Sequence, residues 1–140
     1  MKHLNIEVMS RKEAVKMSFD LNVATVVISI TDVEAEPANI HPNSKNNILA
    51  VLPLKFDDLD FGPTAMTEKD AEKIVNLINN LPDKCRHVVV HCEAGISRSA
   101  GVAAAIMKHL YGVDWVIFEN PRYNPNMHCY QTLLEAFNQN

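Results

Sequence analysis

The chain has 140 residues, of which 47% are apolar and 21% are charged, as expected for one globular domain. Its net charge of −4 argues against a protein that binds nucleic acid or an anionic membrane surface, because both would repel it. No apolar run approaches the roughly 20 residues that a membrane-spanning helix needs. Cys85, Cys92 and Cys129 show no metal-ligand spacing, so the sequence predicts free thiols, no metal site and a reducing, cytoplasmic location.

The first part of the chain has patterns of short strands and one capped helix. Leu4–Val8 predicts a strand. Ser10, followed three residues later by Glu13, forms a capping box for a helix that ends near Ser18. Val23–Ile30 is β-branched and almost continuously apolar, which is typical of a strand buried on both faces.

The middle of the chain predicts a long loop, a second buried strand and a second helix. Thr31–Asn47 is polar and indicates the loop, and Ile48–Leu54 indicates the strand, with Pro53 at its end or at a sheet edge. Thr67 caps a helix that runs to about Asn80. One face of this helix is apolar and consists of Ala71, Ile74, Val75 and Ile78.

The last part of the chain completes an alternation of strands and helices. His87–Val90 predicts a third buried strand, Ser97–Tyr111 a helix rich in small residues, and Met127–Asn138 a final helix. Trp115 and Phe118 are expected in the core. The alternation predicts an α/β fold in which a central, mostly parallel sheet is flanked by helices in a single layered domain.

The join between the third strand and its helix, with the sequence HCEAGISRS, has the features of an anion-binding site. A buried strand ends at Cys92, a loop that contains Gly95 follows, and a helix begins near Arg98. The loop N–H groups and the helix N-terminus form a concavity that binds anions and lowers the pKa of a thiol from about 8.5. The Arg98 guanidinium can grip two oxygens of a phosphate there.

This segment resembles the signature of the protein-tyrosine phosphatase superfamily, which is His-Cys, five residues, Arg and then Ser or Thr. The form HCxxGxSRS is most similar to the dual-specificity branch. The stretch LPLKFDD resembles the strand before the family's general-acid loop, and Pro125-Asn126 with the following helix resembles its closing segment. The matching positions of the signature are His91, Cys92, Gly95, Ser97, Arg98 and Ser99.

The resemblance covers roughly residues 23–137 and implies a role for each matched residue. Because the sequence shows no repeat or linker, we expect a single dual-specificity-phosphatase-like catalytic domain over residues 1–140. Cys92 would be the nucleophile, and Ser99 would help its sulfur to leave in the second step. His91 would support the loop from behind. No cofactor is implied, because the loop itself neutralises the phosphate charge. The phosphate would be bound by Arg98 and by the loop residues Glu93, Ala94, Gly95, Ile96 and Ser97.

The resemblance also implies a general acid, for which the loop DDLDFGPTAM offers three carboxyl groups. The family pattern places the acid at Asp58, and Asp57 and Asp60 remain alternatives. A positioned acid contributes about 10²–10⁴-fold to the rate.

Two other classes of function stay open at this point. A non-catalytic phosphate-binding module would keep the loop, although such proteins usually lose the Cys, the Arg or the acid. A rhodanese-type sulfurtransferase would share the Cys-loop-helix geometry without needing the Arg-Ser pair. A reversible disulfide between Cys92 and either Cys85 or Cys129 also stays open.

The substrate is expected to be a phosphorylated protein or peptide, bound by a monomer. The loop 93–97 contains no Lys or Arg, so nothing favours polyanionic substrates. The short chain leaves no room for the extra loops of a deep cleft that admits only phosphotyrosine. The sequence therefore predicts a shallow site for phosphotyrosine and leaves open whether the site accepts phosphoserine and phosphothreonine as well.

Overall fold

The structure is a computed structural model that describes residues 3–43 and 45–139. Strands and helices alternate along these residues. In chain order they are β1 (Asn5–Ser10), α1 (Arg11–Met17), β2 (Thr25–Thr31), β3 (Ile48–Lys55), α2 (Glu68–Asn79), β4 (His87–Cys92), α3 (Arg98–Tyr111), α4 (Trp115–Phe118) and α5 (Met127–Asn138).

The strands form one sheet in the order β1-β4-β2-β3, and every neighbouring pair is parallel. All residues of β2 and β4 are buried, because these central strands have helices on both faces. This burial explains their continuous apolar sequences. β3 lies at the edge of the sheet, where Pro53 is tolerated because an edge strand does not need every N–H for pairing. The predicted α/β class with a parallel sheet is confirmed.

The helices pack on the two faces of the sheet in unequal numbers. Helices α2, α3 and α5 cover one face and form the larger core with the inward side chains of all four strands. Helix α1 covers the other face, where Ala14 packs near Val27 and Val89. The buried residues of α2 are the four predicted ones.

Local sequence accounts for where most helices begin and end. Capping boxes start α1 at Ser10, as predicted, and α2 at Thr67, where the sequence predicted a simple cap. Helix α3 ends at Gly112, which adopts the left-handed conformation that glycine allows. Its first turn differs, because Ser97 makes no side-chain cap and Arg98 stands at the positive end of the helix. That end of α3 therefore has a positive potential that suits an anion.

The prediction that Trp115 and Phe118 lie in the core is wrong. They belong to the short helix α4, which the sequence patterns did not reveal and which buries only Ile117. One turn of helix can turn only one side inward, so Trp115 is 58% exposed. Phe118 is also exposed and packs edge-to-face on Tyr130, with ring centroids 5.1 Å apart. No helix among residues 3–43 and 45–139 is long and apolar enough to cross a membrane.

Candidate active site

The site lies at the edge of the sheet where the parallel strands have their carboxyl ends. Asp32 follows β2, Asp57 and Asp58 follow β3 closely, and Cys92 is the last residue of β4. These three strands are neighbours in the sheet. The topology therefore brings together side chains that are far apart in sequence, as is usual at this edge of an open α/β sheet.

The loop 93–97 joins β4 to α3 and packs closely on the junction of β1 and α1. Gly95 has a φ of +70°, and a Cβ added there would stand 2.5 Å from the backbone N of Ser10. The Arg11 N–H donates to the Glu93 carbonyl at 3.2 Å. The Arg11 side chain also pairs with the Glu93 carboxylate at 3.1 Å. The Glu93 side chain thus points away from the loop's concave side, and the loop contributes backbone groups there.

The Cys92 thiol is 2% exposed, and its sulfur lies 3.1 Å from the Ser99 hydroxyl oxygen. Burial is the strongest influence on its pKa and raises it. The Ser99 hydroxyl and the N–H groups of Ser99, Gly95 and Ile96 lower it, and together they leave the pKa of Cys92 below its ordinary value. This is the electrostatic environment of a reactive cysteine.

Arg98 is buried, and its guanidinium nitrogens differ in whether they have a hydrogen-bond partner. Its Nη1 donates to the Phe56 carbonyl at 2.7 Å and pairs with the Asp32 carboxylate at 2.7 Å. Its Nε is buried and has no hydrogen-bond partner among the described residues. A buried donor without a partner is costly, so this nitrogen indicates a site for an acceptor that binds from outside.

The three carboxyl groups of the acidic loop have different environments. Asp58 accepts hydrogen bonds from the Ser97 hydroxyl at 2.9 Å and from the Asn126 amide at 2.8 Å. Asp57 instead accepts from the Val33 N–H at 3.1 Å, and this bond is the main reason why its pKa lies below its usual range. Asp60 is exposed and lines a cleft on the same side. Asp58 is thus the carboxyl group tied directly to the loop 93–97.

His91 lies behind the loop and is fully buried. Its Nδ1 is 3.2 Å from the Cys92 carbonyl, and its Nε2 is 2.6 Å from the Ser29 hydroxyl. A carbonyl only accepts, so Nδ1 carries the proton and Nε2 accepts from Ser29. Burial, the largest influence, lowers the pKa of His91 and favours this neutral form. The contacts are those of a residue that supports the loop without reaching its concave side.

Two residues of this constellation are not indicated by the sequence patterns above. Asp32 falls in the stretch Thr31–Asn47 that predicts a polar loop, although a carboxylate directly after a buried parallel strand is a signal for this edge of the sheet. Asn126 lies in the stretch that resembles the family's closing segment, which by itself gives it no role. Its Oδ1 caps α5 by accepting from the Cys129 N–H at 2.9 Å, while its Nδ2 holds Asp58.

The other two cysteines are buried, and neither forms a disulfide. Burial is the main cause that raises the pKa of Cys129 to about 12, with nearby Asp58 adding to it. Cys129 is therefore a protonated, unreactive thiol in this form of the protein. Among the described residues, no three His, Cys, Asp or Glu side chains are grouped so that they could hold a metal ion.

Comparison with known proteins agrees with this geometry. The family model "Dual specificity phosphatase, catalytic domain" matches residues 6–139. The tyrosine-protein phosphatase MSG5 of Saccharomyces cerevisiae is 26% identical over 61 residues, which are 44% of this chain. The match spans only 12% of the length of MSG5.

Solved structures with a similar fold include those of two human proteins. Human DUSP28 has a TM-score of 0.63 and 14% identity, with 96% of this chain and 92% of that chain covered. The human tyrosine phosphatase-like serine/threonine/tyrosine-interacting protein has a TM-score of 0.56 and 26% identity, with 91% and 83% covered. Since the family model spans nearly the whole chain, this protein belongs to the dual-specificity phosphatase catalytic domain family.

Proposed function

We propose that this chain is a phosphoprotein phosphatase that hydrolyses phosphotyrosine, and also phosphoserine and phosphothreonine, through a phosphocysteine intermediate. The observation that carries the proposal is the pairing of Cys92 with Arg98. The thiol has a lowered pKa, and the neighbouring guanidinium has a buried Nε without a partner among the described residues. A nucleophile and a cation with one unpartnered donor, Nε, at the base of one loop are suited to attack on a phosphate ester.

In the first displacement the Cys92 thiolate attacks phosphorus, so that an S–P bond forms as the ester P–O bond breaks. The equatorial phosphate oxygens accept from the backbone N–H groups of the loop 93–97 and from Arg98. Asp58 gives its proton to the departing oxygen, which leaves as an alcohol or phenol. Its hydrogen bonds with Ser97 and Asn126 support this role, because they hold its carboxyl group beside the loop.

In the second displacement a water oxygen attacks the phosphocysteine. The Asp58 carboxylate takes a proton from that water, an O–P bond forms, and the S–P bond breaks. The departing sulfur leaves as a thiolate that can accept a hydrogen bond from the Ser99 hydroxyl, whose oxygen lies 3.1 Å from the sulfur. Inorganic phosphate is released, the starting thiolate and the protonated Asp58 are regenerated, and the water supplies the only oxygen that enters.

The test is the substitution Cys92→Ser. We expect it to abolish hydrolysis of p-nitrophenyl phosphate while orthovanadate or phosphate binding stays measurable by calorimetry, since Arg98 and the loop amides remain. Turnover within tenfold of the wild type would contradict the nucleophile assignment. A wild type that binds phosphate but hydrolyses no phosphate ester would instead indicate a phosphate-binding module.

We also propose that the protein acts as a monomer in the cytoplasm. The reactive thiol of Cys92 supports a reducing compartment, because such a thiol is readily oxidised elsewhere. Size-exclusion chromatography with light scattering would test the oligomeric state, and a dimeric mass would contradict it.

A further inference from the structure

A cleft of about 950 Å³ opens directly beside the loop 93–97. It shares Asp58, Ser97 and Asn126 with the site described above and then continues away from Cys92 between the acidic loop and the start of α5. Its volume is at the upper end of the range for pockets that hold a drug-sized ligand, and thus exceeds the needs of one phosphorylated side chain. The cleft therefore has room for the residues that flank the phosphorylated one.

The walls of this cleft carry exposed apolar side chains from two separate segments. Leu59 and Phe61 come from the acidic loop and are 43% and 82% exposed, and Met127 at the start of α5 is 42% exposed. Single exposed apolar residues are common, but three that line one cleft indicate a surface that contacts a ligand. Flexible Met and flat Phe side chains suit the binding of another apolar side chain.

The charge of the cleft restricts the ligand further. Its lining residues, all in the described part of the chain, include the carboxyl groups of Asp58 and Asp60 and no Lys or Arg. The Asp60 carboxylate would repel a carboxylate or a second phosphate next to the scissile one and would attract a Lys or Arg, whereas Asp58 holds its proton in the first step. An extended polyanion is thus the wrong partner for this surface.

We propose that this cleft is a specificity subsite for a phosphopeptide. The preferred peptide has an apolar residue close to its phosphorylated residue and has no acidic residue directly beside the phosphorylated one. The proposal rests on the proposed phosphatase function, because the phosphate must bind in the loop 93–97 for the flanking residues to reach the cleft. Phe61, together with Leu59 and Met127, contacts the apolar residue of the peptide. The Asp60 carboxylate disfavours an acidic residue next to the phosphorylated one.

The first test is a panel of phosphotyrosine peptides in a Gly/Ala background, in which one Leu or Phe is moved through the three positions on each side. At the best position we expect kcat/KM to rise about tenfold over the unsubstituted peptide, as for partial burial of one apolar side chain. In Phe61→Ala this ratio should fall to near one. Phe19→Ala removes an exposed Phe just after α1, and in this control variant the ratio should equal that of the wild type.

The second test places Asp or Lys directly beside the phosphotyrosine of the best peptide. We expect the Lys peptide to exceed the Asp peptide about three- to tenfold in kcat/KM at low salt, with the difference reduced at high salt. Asp60→Asn should also reduce the difference in kcat/KM between the Lys and Asp peptides. Equal kcat/KM for both peptides, or a loss of the apolar preference in Phe19→Ala as much as in Phe61→Ala, would overturn the subsite.

Failure of the subsite can be distinguished from failure of the proposed function. Hydrolysis of p-nitrophenyl phosphate, which has no flanking residues, tests the function alone. If it is hydrolysed but no flanking position changes kcat/KM, the subsite is wrong and the phosphatase function stands. If nothing is hydrolysed, fluorescence anisotropy of the same peptides on Cys92→Ser tests the cleft by affinity, and equal affinities across the panel would overturn it.

Discussion

At the scale of single residues, the reactivity of Cys92 depends on a balance of opposite influences on its pKa. Burial raises the pKa, and the Ser99 hydroxyl is the largest of the influences that lower it. Ser99→Ala should therefore move the pKa of Cys92 upward, and the midpoint of its alkylation by iodoacetamide should shift to higher pH. Quantification of each labelled cysteine by mass spectrometry against pH checks this.

The internal control for that experiment is Cys129, whose pKa of about 12 should leave it unlabelled at neutral pH in both proteins. Phosphate should protect Cys92 by occupying the loop. Equal labelling of Cys92 and Cys129 at pH 6 would contradict the reactive-thiol assignment.

The assignment of the general acid is a second question at this scale. The Val33 N–H keeps the Asp57 pKa low, so this carboxyl group favours the ionised form and is a poor proton donor. Asp58→Asn keeps an oxygen that can accept from Ser97 and Asn126 but has no proton to give. We expect it to slow turnover of phenyl phosphate by about 10²–10⁴-fold, with a much smaller effect on esters whose leaving group is already a stable anion.

The pH profile gives an independent measure of the same role. An acid must be protonated to act, so the rate of the wild type should fall as the pH rises, and Asp58→Asn should lack this high-pH limb. Asp57→Asn and Asp60→Asn are the matched controls. If one of them removes the limb and Asp58→Asn does not, the neighbour is the acid.

At the scale of elements, the loop 93–97 depends on contact with the β1–α1 junction. Gly95 has a positive φ, and a Cβ there would collide with the backbone of Ser10 and Met9 at 2.5–2.8 Å. Gly112 also has a positive φ, but a Cβ there would meet nothing within 4 Å. A comparison of alanine substitutions at the two glycines therefore distinguishes the cost of backbone strain from the cost of steric overlap.

Gly112→Ala should lower the free energy of unfolding by about 1–2 kcal/mol, the cost of a left-handed alanine. Gly95→Ala should cost about 1–3 kcal/mol more, because backbone atoms would have to move, and it should also reduce phosphatase activity. Urea unfolding and p-nitrophenyl phosphate turnover of the two variants check this. Equal unfolding midpoints with full activity would contradict the role given to the loop's packing.

At the scale of the whole molecule, Arg98 links three parts of the fold. It begins α3, its Nη1 contacts the segments after β2 and β3 through Asp32 and Phe56, and its Nε remains for a ligand. An anion bound there should stabilise the whole domain, because only the folded chain has the site. Orthovanadate at 100 times its Kd should raise stability by about 2.7 kcal/mol, or roughly 8 °C in Tm.

Arg98→Ala should abolish this shift in Tm, whereas Arg122→Ala should keep it. Arg122 is a suitable control, since it is an exposed arginine paired with Glu13 at 3.4 Å on the surface. Differential scanning fluorimetry with and without orthovanadate measures both. A full shift in Arg98→Ala would show that the loop binds the anion without its arginine.

Local sequence alone determined much of this protein. The caps at Ser10 and Thr67, the apolar face of α2 and the bounds of α5 followed from interactions between residues a few positions apart. The loop from Cys92 to Arg98 is equally local, because seven consecutive residues place a thiol, a row of N–H groups and a cation at one strand end. Such features need no knowledge of the remaining fold.

Only the tertiary structure decided which distant residues join them. The strand order brings the end of β2 beside that of β4, and this places Asp32 on Arg98. The choice of Asp58 over Asp57 as the residue tied to the loop depends on contacts with Asn126, 68 positions away. The exposure of Trp115 could not be predicted from the sequence for the same reason. Burial and partners across such separations depend on how the elements pack, which no local pattern of residues encodes.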